Sequence, residues 1–218
     1  MERQDVFALV LIGSFNPKIF HPTWYVQNEL LVQQELEDVT DLICTEELSA
    51  FAYNGIQFQI ERHRFGLTTQ DESRIQLMRD LARSTFALLE HTPLTAVGLN
   101  RDMLVSVADA NVWHEVGHRL APKTPWEGVL DSPGMRIVAM QGRRDECNAD
   151  RINIRVQPRG EVDHGVLVAI NQHYDLDSEA SIAERNATVL GVFDSDWDTF
   201  VRYALSAGKQ LIPEGFDA

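Results

Sequence analysis

The spacing of hydrophobic residues predicts the elements of the first 92 residues. An unbroken apolar run from Val6 to Gly13 is typical of a buried strand. From Pro22 to Leu31 the apolar side chains lie mostly along one side, which predicts a helix that begins at a proline and ends in the solvated acidic run from Glu35 to Asp38. Apolar and polar residues alternate from Ile56 to Glu61, directly after the turn pair Asn54-Gly55, and this pattern predicts a β-hairpin. From Asp71 to His91 the period changes to 3.6 residues, so a long amphipathic helix is expected there.

A strand and a short helix are predicted next. The run from Leu94 to Val107 is strand-like, and either Asp109 or Asn111 can cap a helix that follows it. The apolar residues of that helix fall on one side, and they are Val112, Trp113, Val116 and Leu120.

The C-terminal third predicts three more strands and a closing helix. The strands begin near Met135, Arg151 and Gly165, each in a strand-like run between turn-forming segments. In the closing helix Ser195 is the expected N-cap, and Gly208 is expected to lie after the last turn.

The order of these elements predicts the fold class. Residues 5–92 and residues 94–212 both run strand, short helix, two or three strands and long helix, which suggests two pseudo-equivalent β-α-β-β-(β)-α halves. We therefore predict a single α+β domain over residues 1–218, in which antiparallel sheet packs against helices. A chain of 218 residues with 44% hydrophobic content can bury a core of its own.

Net charge limits the classes of partner. The chain has 33 acidic and 19 basic residues, for a formal charge of −14, so its average surface potential repels phosphate backbones and nucleic-acid binding is unlikely. A local basic strip is an alternative, because Arg151, Arg155 and Arg159 fall on one face of a predicted strand. An ordinary solvent-exposed sheet face has the same pattern, and this interpretation is favoured.

The sequence also predicts the compartment. The N-terminal apolar run is too short to span a membrane and lacks the flanks of a secretory leader. Cys44 and Cys147 lack the spacing of a zinc knuckle or a redox motif. We expect a cytoplasmic protein with two reduced thiols and no membrane association.

One short motif points to chemistry, the H-E-x-x-H pattern that begins at His114. On a helix, His114 and His118 lie one turn apart and can hold zinc, while Glu115 accepts a proton from metal-bound water. The sequence names no third ligand, Gly117 weakens the helix, and Arg119 adds positive charge beside the proposed cation. Two hypotheses stay open: a zinc-dependent hydrolase, and a solvent-exposed face with two incidental histidines. The second, with no cofactor, is favoured.

Large aromatic residues cluster in the segment "SFNPKIFHPTWY". Phe15, Phe20, Trp24 and Tyr25 occur there beside prolines and an asparagine. They fit either an interaction loop or a packed corner of the core.

Three phrases carry a resemblance to other proteins. The segments "FNPKIFHPTW", "HTPLTAVGLN" and "GHRLAPKTPW" are similar to segments of a sporadically distributed, uncharacterised family of bacterial proteins. The likeness covers about a fifth of the chain and includes no diagnostic motif. The uneven distribution of that family implies an accessory role, such as one in mobile elements or phage defence.

Taken together, these patterns favour a non-enzymatic binding or assembly subunit. An open sheet leaves edge strands that pair with other chains, so a protein partner or a homo-oligomer is expected. The zinc-dependent hydrolase is the alternative.

Overall fold

The computed structural model describes residues 4–216, and the strands of this part of the chain form one sheet of nine. In chain order they are β1 (Gln4–Gly13), β2 (Thr40–Cys44), β3 (Leu48–Tyr53), β4 (Ile56–Glu61), β5 (Arg64–Thr69), β6 (Leu94–Ser106), β7 (Val138–Gly142), β8 (Arg151–Arg159) and β9 (Gly165–Asp175). Across the sheet the order is β2-β3-β4-β5-β1-β6-β9-β8-β7. Every neighbouring pair is antiparallel, which confirms the predicted α+β class.

The helices pack against one face of this sheet. They are α1 (Pro22–Gln27), α2 (Ile75–Leu88), α3 (Ala110–Leu120), α4 (Ile182–Gly191) and α5 (Trp197–Leu211), and a π-helical turn, Val192–Asp196, joins the last two. The ring of Trp197 in α5 lies 5.1 Å from that of Phe7 in β1. The ring of Phe86 in α2 lies 5.0 Å from that of Phe65 in β5.

Alternation along the strands separates the two faces of the sheet. In β1, Phe7, Leu9 and Leu11 are buried beneath the helices, whereas Ala8 and Val10 are only half-buried on the other face. Successive side chains of a strand point to opposite faces, so a single helical layer buries every second residue. The second face of the sheet is left open to solvent.

The two halves of the chain meet at the centre of the sheet, where β1 pairs with β6. Outward from β1 the order is β5, β4, β3, and outward from β6 it is β9, β8, β7. In each half, the first strand therefore pairs with the last strand of a meander. That these halves form a true repeat stays a prediction.

The first helix is shorter than predicted. The prediction ran to the acidic residues near Asp38, but α1 ends at Gln27, where the Asn28 side chain donates a hydrogen bond to the carbonyl of Trp24 (2.8 Å), and the acidic run forms a separate 3₁₀ helix, Gln33–Asp38. Glu29 then has a φ of 58°, a left-handed conformation that stops a helix.

The C-terminal helices also differ from the prediction, which missed α4. Ser181 and Glu184 form a capping box at its start. This signal consists of two residues, so a search for helical periodicity does not detect it. Ser195 is not an N-cap, because the π-helical turn already continues α4 at that point. Gly208 lies inside α5 rather than after it, because the helix continues to Leu211. At this position α5 packs closely against Met103 of β6.

No helix within residues 4–216 is both long and apolar enough to cross a membrane. Cys44 is exposed and Cys147 is half-buried, and both are free thiols.

Candidate interaction surface

Helix α3, which carries the H-E-x-x-H motif, is capped by Asp109. Its side chain accepts hydrogen bonds from the backbone N–H groups of Asn111 (2.7 Å) and Val112 (3.0 Å). These bonds hold the pKa of the Asp109 carboxyl below its usual value. Of the two caps left open by the sequence, Asp109 is the one used.

The same helix is attached to the sheet and to α5 by its apolar side and by Arg119. Val116 is buried, and the half-buried Trp113 donates from Nε1 to the carbonyl of Gly165 in β9 (3.1 Å). Arg119 donates to the carbonyl of Leu211 (3.0 Å) at the end of α5. The position of α3 is therefore set by contacts with both layers.

The motif residues themselves face solvent. His114, Glu115 and His118 are all exposed, and the ring of His114 lies edge-on to that of Trp113 at 5.2 Å. Among residues 4–216, no group of three or more His, Cys, Asp or Glu side chains is arranged to hold a metal ion. A catalytic zinc site takes three protein ligands, and the described part of the chain brings no third one to this pair.

The aromatic corner lies in the core rather than on the surface. Phe15, Phe20 and Tyr25 are buried, and Trp24 is half-buried against them. The ring of Phe20 lies 5.5 Å from that of Phe65 in the sheet. The hypothesis that these four side chains form an interaction loop is therefore not supported, because they are used in packing α1 onto the sheet.

A cavity of about 310 Å³ separates α3 from the segment that follows it. Trp113, His114 and Val116 form one wall, and Met135 forms another. Val166 of β9 also lines the cavity, so it opens on the helix-covered face of the sheet. A second cavity, of about 240 Å³, is also lined by Met135, together with Trp126, Leu130 and Ile137.

The segment beside these cavities carries a large exposed apolar surface. Five large hydrophobic residues within residues 126–140 are at least half-exposed: Trp126, Val129, Leu130, Ile137 and Met140. We call them the apolar surface. Trp126, Leu130 and Ile137 line one cavity, so at least these three lie side by side at the surface, and contiguous exposed apolar patches are a feature of interaction sites.

Strand β7 lies at the edge of the sheet inside this apolar surface. Met140 pairs with Ile154, which pairs with the buried Ile170, so all three side chains lie on the helix-covered face. Met140 is nevertheless 68% exposed. Among residues 4–216, no strand pairs with the outer edge of β7, and the helices leave Met140 uncovered.

The arginines of β8 lie on the open face, as the alternation predicts. Arg151 forms an ion pair with Asp175, and Arg159 pairs with Glu161. Only Arg155 has neither a hydrogen bond nor an ion pair within residues 4–216. Two of the three charges are thus locally neutralised, which weakens the hypothesis of a basic strip.

No protein-family model matches the chain, and no curated protein matches its sequence. Unpaired edge strands were expected of an open sheet, but the apolar surface beside β7 was missed by sequence reasoning. The segment "TPWEGVLDSPGMRIVAM" contains its apolar residues at irregular spacing, so neither a helical nor a strand period marks it as exposed.

Proposed function

We propose that this protein is a non-enzymatic binding or assembly subunit of the cytoplasm, which engages a protein partner by strand addition at β7. The observation that supports the proposal is the coincidence of an edge strand with the apolar surface of residues 126–140. An accessory role, for example in phage defence, would rest on the family resemblance alone.

Strand addition explains why Met140 is left exposed. A partner strand alongside β7 would form main-chain hydrogen bonds with the outward-facing N–H and C=O groups of this strand. Alternate side chains of the partner would then cover Met140 on the helix side of the sheet. The cavity beside Met135 could take one of them, because it lies within the same segment.

The opposite edge is less suited to this role. Strand β2 also exposes apolar side chains, Leu42 and Ile43. Its pairing with β3 is interrupted by a register shift between Thr40 and Ile43, and Asp41 has a φ of 56°. Such irregularities blunt an edge, whereas β7 pairs with β8 without a shift.

The test compares the two edges. Tagged wild-type protein, Met140→Lys and the matched edge variant Ile43→Lys would each be purified from the native host, and stoichiometric partners quantified by mass spectrometry. We expect a partner that is retained by the wild type and by Ile43→Lys and lost from Met140→Lys, because a buried ammonium opposes strand addition at β7 only.

Two results would contradict the proposal. One is a partner that is retained equally by Met140→Lys. The other is the lack of any stoichiometric partner together with a strict monomer in light scattering of the wild type, which would leave the β7 edge without an occupant.

The zinc-dependent hydrolase is the alternative function, and it relies on His114, Glu115 and His118. These residues have the helical spacing that a zinc site requires, but the third ligand would have to come from outside the described residues or from a rearrangement.

A further inference from the structure

The open face of the sheet holds a cavity of about 520 Å³, one side of which is formed by Ala139, Met140 and Gln141 of β7. It lies over β6, β9, β8 and β7, and its polar lining comes mainly from Asn100, Asp102, Asn153, Arg155 and Asn171. All of these except Arg155 are half-buried, although they lie on the face away from the helices. The twisted sheet is therefore concave here.

A ladder of amides forms one side of the cavity. Asn153 donates from Nδ2 to Oδ1 of Asn171 (3.1 Å), and Asn171 donates from Nδ2 to Oδ1 of Asn100 (2.9 Å). Asn100 donates in turn to the backbone carbonyls of Ala8 and Gly98, both at 3.3 Å. These bonds fix the orientation of three amide groups before any ligand is present, which lowers the cost of binding.

Two opposite charges lie beside the ladder without touching each other. Asp102 in β6 and Arg155 in β8 both pair with Ala169 of β9, which lies between them. Two strand spacings separate their backbones by roughly 10 Å. Within residues 4–216 neither side chain has a hydrogen bond or an ion pair. Burial raises the pKa of the Asp102 carboxyl, and the positive charges of Arg155 and Arg159 oppose this shift, so both arginines lie near enough to act on Asp102 without a hydrogen bond to it.

We propose that this cavity binds a free α-amino acid. Its ammonium group would donate to Asp102, and its carboxylate would accept from Arg155 in a charge-assisted, bidentate pair. Its carbon atoms would lie over the methyl group of Ala169, and a polar side chain would meet the amide ladder. An amino acid that lies over β9, the strand between β6 and β8, can form a hydrogen bond of about 3 Å with each of the two charged side chains.

Other small ligands fit the lining less well. No aromatic side chain lines the described cavity, so a nucleobase would find nothing on which to stack. The net charge of −14 opposes a ligand with several phosphates. Asp102 is the only carboxylate of the lining, which is too few for a divalent cation. A zwitterion satisfies both unpaired charges at once.

The experiment is isothermal titration calorimetry with each proteinogenic amino acid separately, after a thermal-shift screen at millimolar concentration. Three variants change the cavity: Asp102→Asn and Arg155→Gln each remove one charge, and Ala169→Leu fills the floor. Arg64→Gln is the matched control, because this arginine lies on the same face of the sheet outside the cavity.

We expect at least one amino acid to bind the wild type and the Arg64→Gln control equally. Each of the three cavity variants should weaken binding about tenfold or more, as expected for the loss of one charged hydrogen-bond partner or of the space for the ligand. The proposal is overturned if no amino acid binds the wild type, or if Arg155→Gln binds as well as the wild type. Arg155 is exposed, so this variant keeps the test decisive should Asp102→Asn fail to fold.

Discussion

At the scale of single residues, the neighbours Trp113 and His114 have different roles. Trp113 is half-buried and donates a hydrogen bond to Gly165, so Trp113→Ala should lower the free energy of unfolding by ~2–3 kcal/mol, less than for a fully buried tryptophan. His114 is exposed, so His114→Ala should change this free energy by less than ~0.5 kcal/mol. Urea denaturation of both variants measures the difference.

The same pair of variants tests the zinc alternative. If His114 were a ligand, His114→Ala would also forfeit the contribution of the metal to folding, and its effect would approach that of Trp113→Ala. Protein purified without added metal should contain no zinc. About one zinc per chain, lost on His118→Ala, would instead support the hydrolase and displace our proposal.

At the scale of elements, α5 packs closely on β6 at a glycine. An added Cβ at Gly208 would lie 2.8 Å from Cε of Met103, which is fully buried. Gly208→Ala should therefore destabilise the protein by ~1–2 kcal/mol, because overpacking exceeds the gain in helix propensity. Gly191 is the matched control, since it is helical and nothing lies within 4 Å of its added Cβ.

Gly191→Ala should stabilise the protein by up to ~1 kcal/mol, the usual difference in helix propensity between the two residues. Denaturation midpoints of the two variants should thus shift in opposite directions. Equal shifts would mean that Met103 moves aside freely and that the contact between α5 and β6 is loose.

At the scale of the whole molecule, stability should depend on pH through carboxylates of two kinds. Hydrogen bonds from Arg151 and His173 lower the pKa of Asp175 below its ordinary 3.8. The ionised Asp175 therefore stabilises the folded protein when the pH is above 3.8, and this stabilisation is lost as the pH falls through the lowered pKa. Burial raises the pKa of Asp102 above 3.8, so the folded protein binds this proton more tightly than the unfolded chain does. The free energy of unfolding therefore falls as the pH rises from 3.8 to the raised pKa of the folded state.

Two variants separate these effects. Relative to the wild type, Asp175→Asn should be less stable near neutral pH, and the difference should disappear in acid. Asp102→Asn should gain stability relative to the wild type as the pH rises from 3.8 towards neutrality. Urea denaturation across this range measures both. Parallel curves for the two variants would contradict the opposite directions of these two pKa shifts.

The sequence by itself determined those features that depend on residues close together in the chain. The turn between β3 and β4 has positive φ at both Asn54 (48°) and Gly55 (78°), as this dipeptide predicts. The alternation of buried and exposed residues in β4, from Ile56 to Glu61, is equally local. Such features follow from backbone sterics and from hydrogen bonds that span a few residues.

Only the tertiary structure decided which strands are neighbours and which faces are covered. Asn100, Asn153 and Asn171 become one ladder because three distant strands pair in a particular register. Arg101 reads as an ordinary polar position of a strand, yet it is fully buried with its guanidinium donating to Asp5. The apolar segment of residues 126–140 is exposed because the helical layer ends before β7. Strand pairing and burial depend on contacts between residues far apart in the chain. The spacing of apolar residues within a short segment therefore does not predict them.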